Sequence, residues 1–157
     1  EPTAGPERMH LSKFSDYSLR VLLLAGSRPE HFFTISETAE IYGISQAHLK
    51  KVVRLLANKG YVLAVRGHGG GFRLGRPAHE ISLGALLRDT EPDFALVECY
   101  RSGKSCLVSG CCRLPRVLDQ ALAAFLEVMD RHSLRDILLS PRAFGLPELA
   151  GQPETPC

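Results

Sequence analysis

No stretch of this sequence approaches the ~20 consecutive apolar residues of a membrane-spanning helix, so a spanning protein is not expected. The first eight residues, Glu1 to Arg8, are polar and proline-bearing and lack the apolar centre of a secretion signal. The expected setting is therefore the cytoplasm, with Met9 a candidate start and residues 1–8 an extension. The chain has no phosphate-binding glycine loop, no paired-carboxylate motif and no nucleophile signature, so an enzyme is not expected. There is no internal repeat. The five cysteines are an odd number, and without a secretion signal they argue against a disulfide framework. Acidic residues are missing altogether between Ser45 and His79.

That acid-free stretch holds seven basic residues: Lys50, Lys51, Arg54, Lys59, Arg66, Arg73 and Arg76. The remainder of the 157-residue chain keeps twelve basic and seventeen acidic residues, so the net charge of +2 conceals one cationic segment on a mildly anionic body. Such segregation points to a localised nucleic-acid footprint. The 45% apolar content is enough for a real core.

The periodicity predicts a helix over 12–25, capped by Ser12 or Ser15, with Asp16 in its first turn and Gly26-Ser27-Arg28-Pro29 ending it. A short helix follows over 35–42, opened by Thr34 and Glu37 at capping-box spacing and closed by Gly43. Ser45 caps a third helix reaching about Asn58, with Leu49, Val52, Val53, Leu55 and Leu56 as its buried stripe. Residues 61–65 and 72–74 read as a hairpin whose tip, Arg66 to Gly71, is rich in glycine. Two helices joined by a glycine turn and followed by a hairpin make a winged helix-turn-helix.

Pro77–Ile81 reads as a link, 83–88 as a short helix and the glycine- and serine-bearing stretch 98–112 as a loop. A long helix is expected over 115–132, with Leu114, Val117, Leu118, Leu122, Phe125, Leu126 and Met129 as an apolar stripe that is either intrachain core or a dimer seam. A capping-box pair, Ser133 and Asp136, opens a last short helix over 134–139. The expected fold is thus mainly α with a small β hairpin: a winged helix-turn-helix domain over 9–90, a cysteine-bearing loop over 91–113, a dimerisation helix and short following helix over 114–140, and a flexible tail over 141–157.

A recognition helix needs hydrogen-bonding side chains at its first exposed turn and cations where phosphates lie. Ser45, Gln46 and His48 fit the first role; Lys50, Lys51 and Arg54 fit the second. Arg66, His68 and Arg73 of the hairpin extend the candidate DNA-binding set, the tip being slim enough to approach a minor groove. A two-fold dimer would read half-sites about 34–36 Å apart, or a multiple of that.

Four cysteines, Cys99, Cys106, Cys111 and Cys112, crowd into the loop. Thiolates in such a loop suit an iron–sulfur cluster, while a zinc site or a thiol redox switch stays open on spacing alone. The segments LSKFSDYSLRVLLLA, GISQAHLKKVVRLLANKGYV, VRGHGGGFRL, LVECY, the C-x₅-C-RL of Cys106 to Leu114 and AFLEVMDRHSLRDIL resemble the family of winged-helix iron–sulfur regulators, which includes NsrR, IscR and RirA. The likeness runs from about Met9 to Leu139 and leans towards the nitric-oxide-responsive repressors. It implies a homodimer on palindromic double-stranded operator DNA, with nitric oxide as signal. It also implies a cluster, 4Fe-4S favoured over 2Fe-2S, on Cys99, Cys106 and Cys112, with Cys111 as an extra residue whose exchange with Cys112 stays open. The fourth ligand would be Asp16 from the first helix of the other subunit, and Arg20, at i+4, is placed to hold that carboxylate. IscR-like members carry a histidine where this chain has Pro115, which disfavours that branch. Iron or redox sensing of the RirA kind is the alternative signal.

Overall fold

The computed structural model describes residues 10–97, 99–100, 107–108 and 110–148. Helix α1 (Lys13–Ser27) starts where the Ser12 hydroxyl accepts the Ser15 amide at 3.1 Å. It does not stop at Gly26 as its sequence suggests. Gly26 is buried inside the helix, and a Cβ there would collide with the Leu138 side chain, so this glycine permits a close approach instead of ending a helix. Ser27 is also buried, its hydroxyl donating to the Leu24 carbonyl at 2.7 Å.

Helix α2 (Ile35–Tyr42) carries both halves of the expected capping box: the Glu37 amide donates to Thr34 Oγ1 at 3.1 Å and the Thr34 amide to Glu37 Oε2 at 3.3 Å. Gly43 closes it in the left-handed region, at φ +64°, where a side chain would be strained. Helix α3 (Gln46–Asn58) is capped by Ser45, whose hydroxyl accepts the His48 amide at 3.3 Å, and buries Leu49, Val52, Val53 and Leu56. Strands β1 (Val62–Val65) and β2 (Gly71–Leu74) pair antiparallel, from Val62 opposite Leu74 to Val65 opposite Gly71. Phe33 exchanges backbone hydrogen bonds of 2.9 and 2.8 Å with Phe72, and both side chains are fully buried. The core joins them to Val21, Leu22 and Leu24 of α1 and to the α3 stripe. This is a winged helix-turn-helix.

Helix α4 (Leu83–Thr90) runs two residues past its expected end, its buried Thr90 hydroxyl donating to the Leu86 carbonyl at 2.9 Å. Cys99 and Tyr100 have helical backbone within the stretch read as loop. Helix α5 (Leu114–Asp130) is the long helix, and a 3₁₀ turn (Leu134–Ile137) follows, opened by the Ser133–Asp136 box. The part of the expected tail that is described is docked: Pro141–Phe144 forms a 3₁₀ turn, and the Phe144 ring packs edge-on to Tyr42 at 6.1 Å. Phe144 and Leu146 anchor this segment to the core, an effect its proline-rich composition hides. Residues 149–157 lie outside the described set.

The two readings of the α5 stripe divide between neighbouring faces. Leu118, Leu122, Phe125, Leu126 and Met129 are half-buried. Leu114, Val117 and Val128 are exposed, Val117 to 58%, and Ala121 and Ala124 are exposed on the same side. No residue of α5 is fully buried.

Helices α4 and α5 meet at Gly84, where a Cβ would lie 2.9 Å from the Asp130 amide nitrogen. Beside it, Arg88 Nη2 donates to Asp130 Oδ2 at 2.8 Å. Gly84→Ala should therefore lower stability by about 1–3 kcal/mol through overpacking, read as a lower midpoint in urea unfolding.

Candidate nucleic-acid interface and cysteine site

The seven cations of the acid-free segment fall into two groups. Lys59 pairs with Asp89 at 2.8 Å, and Arg73 with Glu30 at 3.0 Å, its guanidinium also lying 5.0 Å from the centre of the Phe32 ring. Arg76 donates to the carbonyls of Gly60 (3.0 Å) and Lys59 (2.6 Å) and sits 4.7 Å over the Tyr61 ring. Lys50, Lys51, Arg54 and Arg66 are exposed and have no acidic partner within 4.0 Å among the described residues. Lys50, Arg54 and Arg66 line one groove of about 710 Å³ between α3 and β1, with Val53, Asn58 and Ala64. Of the candidate set, Arg73 is thus the member already engaged within its own chain.

Ser45, Gln46 and His48 are exposed together at the start of α3. The Ser45 oxygen accepts the His48 amide, which leaves its hydroxyl hydrogen free to donate outward. The His48 ring is edge-on to Tyr17 of α1 at 5.8 Å, a neighbour that periodicity gave no reason to expect. His68 is exposed at the wing tip between Gly67 and Gly69, both at positive φ. The tip turns tightly only because these two positions lack a Cβ.

Asp16 lies on the first turn of α1, about half exposed. Arg20 Nε donates to both its oxygens at 3.1 Å and Nη2 approaches Oδ2 at 3.0 Å, so the i+4 pairing is realised. That hydrogen bond raises the Arg20 pKa above its usual value.

Cys99, Cys111 and Cys112 have free, exposed thiols; Cys106 lies outside the described residues. The Tyr100 hydroxyl donates to the Pro115 carbonyl at 2.8 Å and to Asp119 Oδ1 at 3.0 Å, tying the Cys99 segment to the start of α5. Desolvation, the bond to Asp119 and the negative charge of Asp119, with smaller contributions from Cys99 and Cys112, raise the Tyr100 pKa. The amides of Cys111 and Cys112 both donate to the Val108 carbonyl, at 3.1 and 2.9 Å, and the Cys111 Sγ also approaches that oxygen at 3.5 Å. Among the described residues no three His, Cys, Asp or Glu side chains converge as a metal site within the chain. No helix among them is long and apolar enough to cross a membrane.

A model of the Rrf2 family, described as an iron-dependent transcriptional regulator, matches residues 11–139. The HTH-type transcriptional regulator NsrR of Bacillus subtilis (strain 168) is 46% identical over 132 residues, covering 83% of this chain and 90% of that protein. The regulator of the same name from Oceanobacillus iheyensis is 42% identical over 132 residues, again covering 83% and 90%. The oxidised form of Staphylococcus aureus CymR superposes with a TM-score of 0.65 at 26% identity, covering 82% of this chain and 95% of that one. T. potens IscR gives 0.64 at 24% identity over 85% and 88%, a likeness of fold alone. These relatives are named as regulators, not enzymes. The chain belongs to the Rrf2 family of transcriptional regulators.

Proposed function

We propose that the chain is a cytoplasmic, dimeric repressor that reads palindromic operator DNA with α3 and the wing, holds an iron–sulfur cluster in its cysteine loop and releases DNA in response to nitric oxide. The observation that carries this reading is that Cys99 and Cys112 present exposed thiols, in a chain whose reading helix bears exposed cations without an acidic partner among the described residues.

The donor set fits the group. Exposed thiols in a short loop are the ordinary ligands of such clusters. Cys99, Cys106 and Cys112 would hold it, 4Fe-4S before 2Fe-2S, with Asp16 of the partner subunit as fourth ligand. When bound, such a cluster would supply iron able to take nitric oxide as a ligand, and the Asp16 carboxylate would be a harder, less matched donor to it than the thiolates. Arg20 fixes the direction of the Asp16 carboxylate, the usual work of a residue behind a ligand. Cys111, bonded to its own turn, is left as the spare.

The exposed face of α5 supports the dimer. Leu114, Val117, Ala121, Ala124 and Val128 recur at three- and four-residue steps, and a second α5 is the surface that matches such a stripe. The dimer would set Lys50, Lys51, Arg54 and Arg66 of each subunit against phosphates, while Ser45, Gln46 and His48 meet base edges, Gln46 being suited to adenine. Arg73 would join the interface only by exchanging Glu30 for a phosphate. Replacing Lys50 and Arg54 by alanine should lower the slope of log affinity against log salt by about 2 per subunit, measured by fluorescence anisotropy across a salt series.

The direct test is anaerobic purification with iron and sulfide analysis, followed by selection from randomised duplexes. A brown protein that enriches a palindrome is expected. Protein lacking both iron and sulfide after cluster assembly would overturn the reading. Iron as the signal is the second reading, favoured by the family's description as iron-dependent. It predicts release by a chelator with indifference to nitric oxide.

A further inference from the structure

Three consecutive residues where α4 ends grip the DNA-reading head at two places. Asp89 accepts the Tyr61 hydroxyl at 2.7 Å and the Lys59 ammonium at 2.8 Å, at the corner where α3 turns into β1. Thr90 Oγ1 lies 2.8 Å from Ser15 Oγ on the first turn of α1, one residue from Asp16. Glu91 Oε1 accepts the Ser12 amide at 2.9 Å, closing the start of the same helix. In sequence, residues 92–98 then lead to Cys99.

The corner that Asp89 holds is stiff. Arg76 braces it from β2 by bonding the Lys59 and Gly60 carbonyls and stacking on Tyr61. Tyr61, Thr90 and Ser15 are all buried, so these bonds face little competition from water. Burial works against the Asp89 charge, but the hydrogen bonds from Lys59 and Tyr61 together with the positive charges of Lys59 and Arg76 hold the carboxyl below its usual pKa.

We infer that Asp89 is a positioning residue that makes the α3–wing corner move with the segment leading to the cysteines. Thr90 and Glu91 bind the first turn of α1 to that same segment. Displacement of the loop then reaches the wing through Asp89 without a contact between the cysteines and DNA. The inference rests on the reading above, in which the loop has two states.

The test compares the full-length wild type with Asp89→Asn and Tyr61→Phe, each with its cluster loaded and after removal by chelator. Tyr61→Phe takes away only the hydroxyl and leaves the ring in the core. Operator affinity is measured in both states, alongside visible absorbance and thermal midpoint. Wild type should show a loaded-to-free affinity ratio of at least about fivefold, the lower end of ordinary coupling. Both variants should keep the absorbance while their ratio falls to within about twofold of unity. A variant ratio equal to that of wild type would overturn the inference alone. Equal affinities of loaded and free wild type would overturn it together with the sensor reading.

Discussion

Cys112→Ser should emerge from anaerobic cluster assembly with iron content lowered at least about tenfold and without visible charge-transfer absorption. Cys111→Ser should keep both. The two positions are adjacent in sequence but differ in surroundings. Cys112 lies two residues before α5, and the hydroxyl of Tyr100, next to Cys99 in sequence, is anchored to the first turn of that helix. Cys111 faces back into its own turn against the Val108 carbonyl, a contact that a serine hydroxyl can replace. Iron analysis of the two variants side by side decides between them, and equal retention would remove Cys112 from the ligand set.

The second large effect concerns α5. Val117→Lys combined with Val128→Lys should convert the dimer to a monomer and weaken operator binding about 100-fold or more, because half of the paired site is lost. The variant should still fold. Val117 and Val128 are 58% and 46% exposed in the single chain, so two lysines there add charge to a surface and leave the core untouched. This separates the two uses of an apolar helix. Were the stripe serving only its own subunit, these exposed positions would tolerate charge with no change in mass. Analytical ultracentrifugation gives the oligomeric state, and circular dichroism verifies the fold.

Much of the reading head was legible because local rules and global packing agree there. Thr34 with Glu37, Gly43 and Ser45 announce the ends of α2 and the start of α3 through chemistry confined to a few residues. The β1–β2 hairpin follows from a change of period and a glycine tip whose conformation demands glycine. What stayed hidden depends on partners distant in sequence. Gly26 looks like a helix stop, and only the approach of Leu138 shows why it is internal. The cations of the acid-free segment look alike in sequence. Three of them are held by Glu30, Asp89 and backbone carbonyls, while four have no acidic partner among the described residues, a division set by tertiary contacts. Asp89 itself carried no signal, since a carboxylate near the end of a helix is ordinary until Tyr61 and Lys59 are folded against it. The cysteines were conspicuous from spacing, yet the contact that sets the Cys111 thiol apart, its approach to the Val108 carbonyl, needed the turn.

The most direct measurement is the affinity of the iron-loaded protein for its selected duplex, followed by anisotropy without oxygen, before and after stoichiometric nitric oxide. Binding should weaken at least about tenfold and recover when the cluster is rebuilt, within the usual range of coupling between two sites. Affinity unchanged by nitric oxide, in protein shown to carry iron and sulfide, would contradict the account.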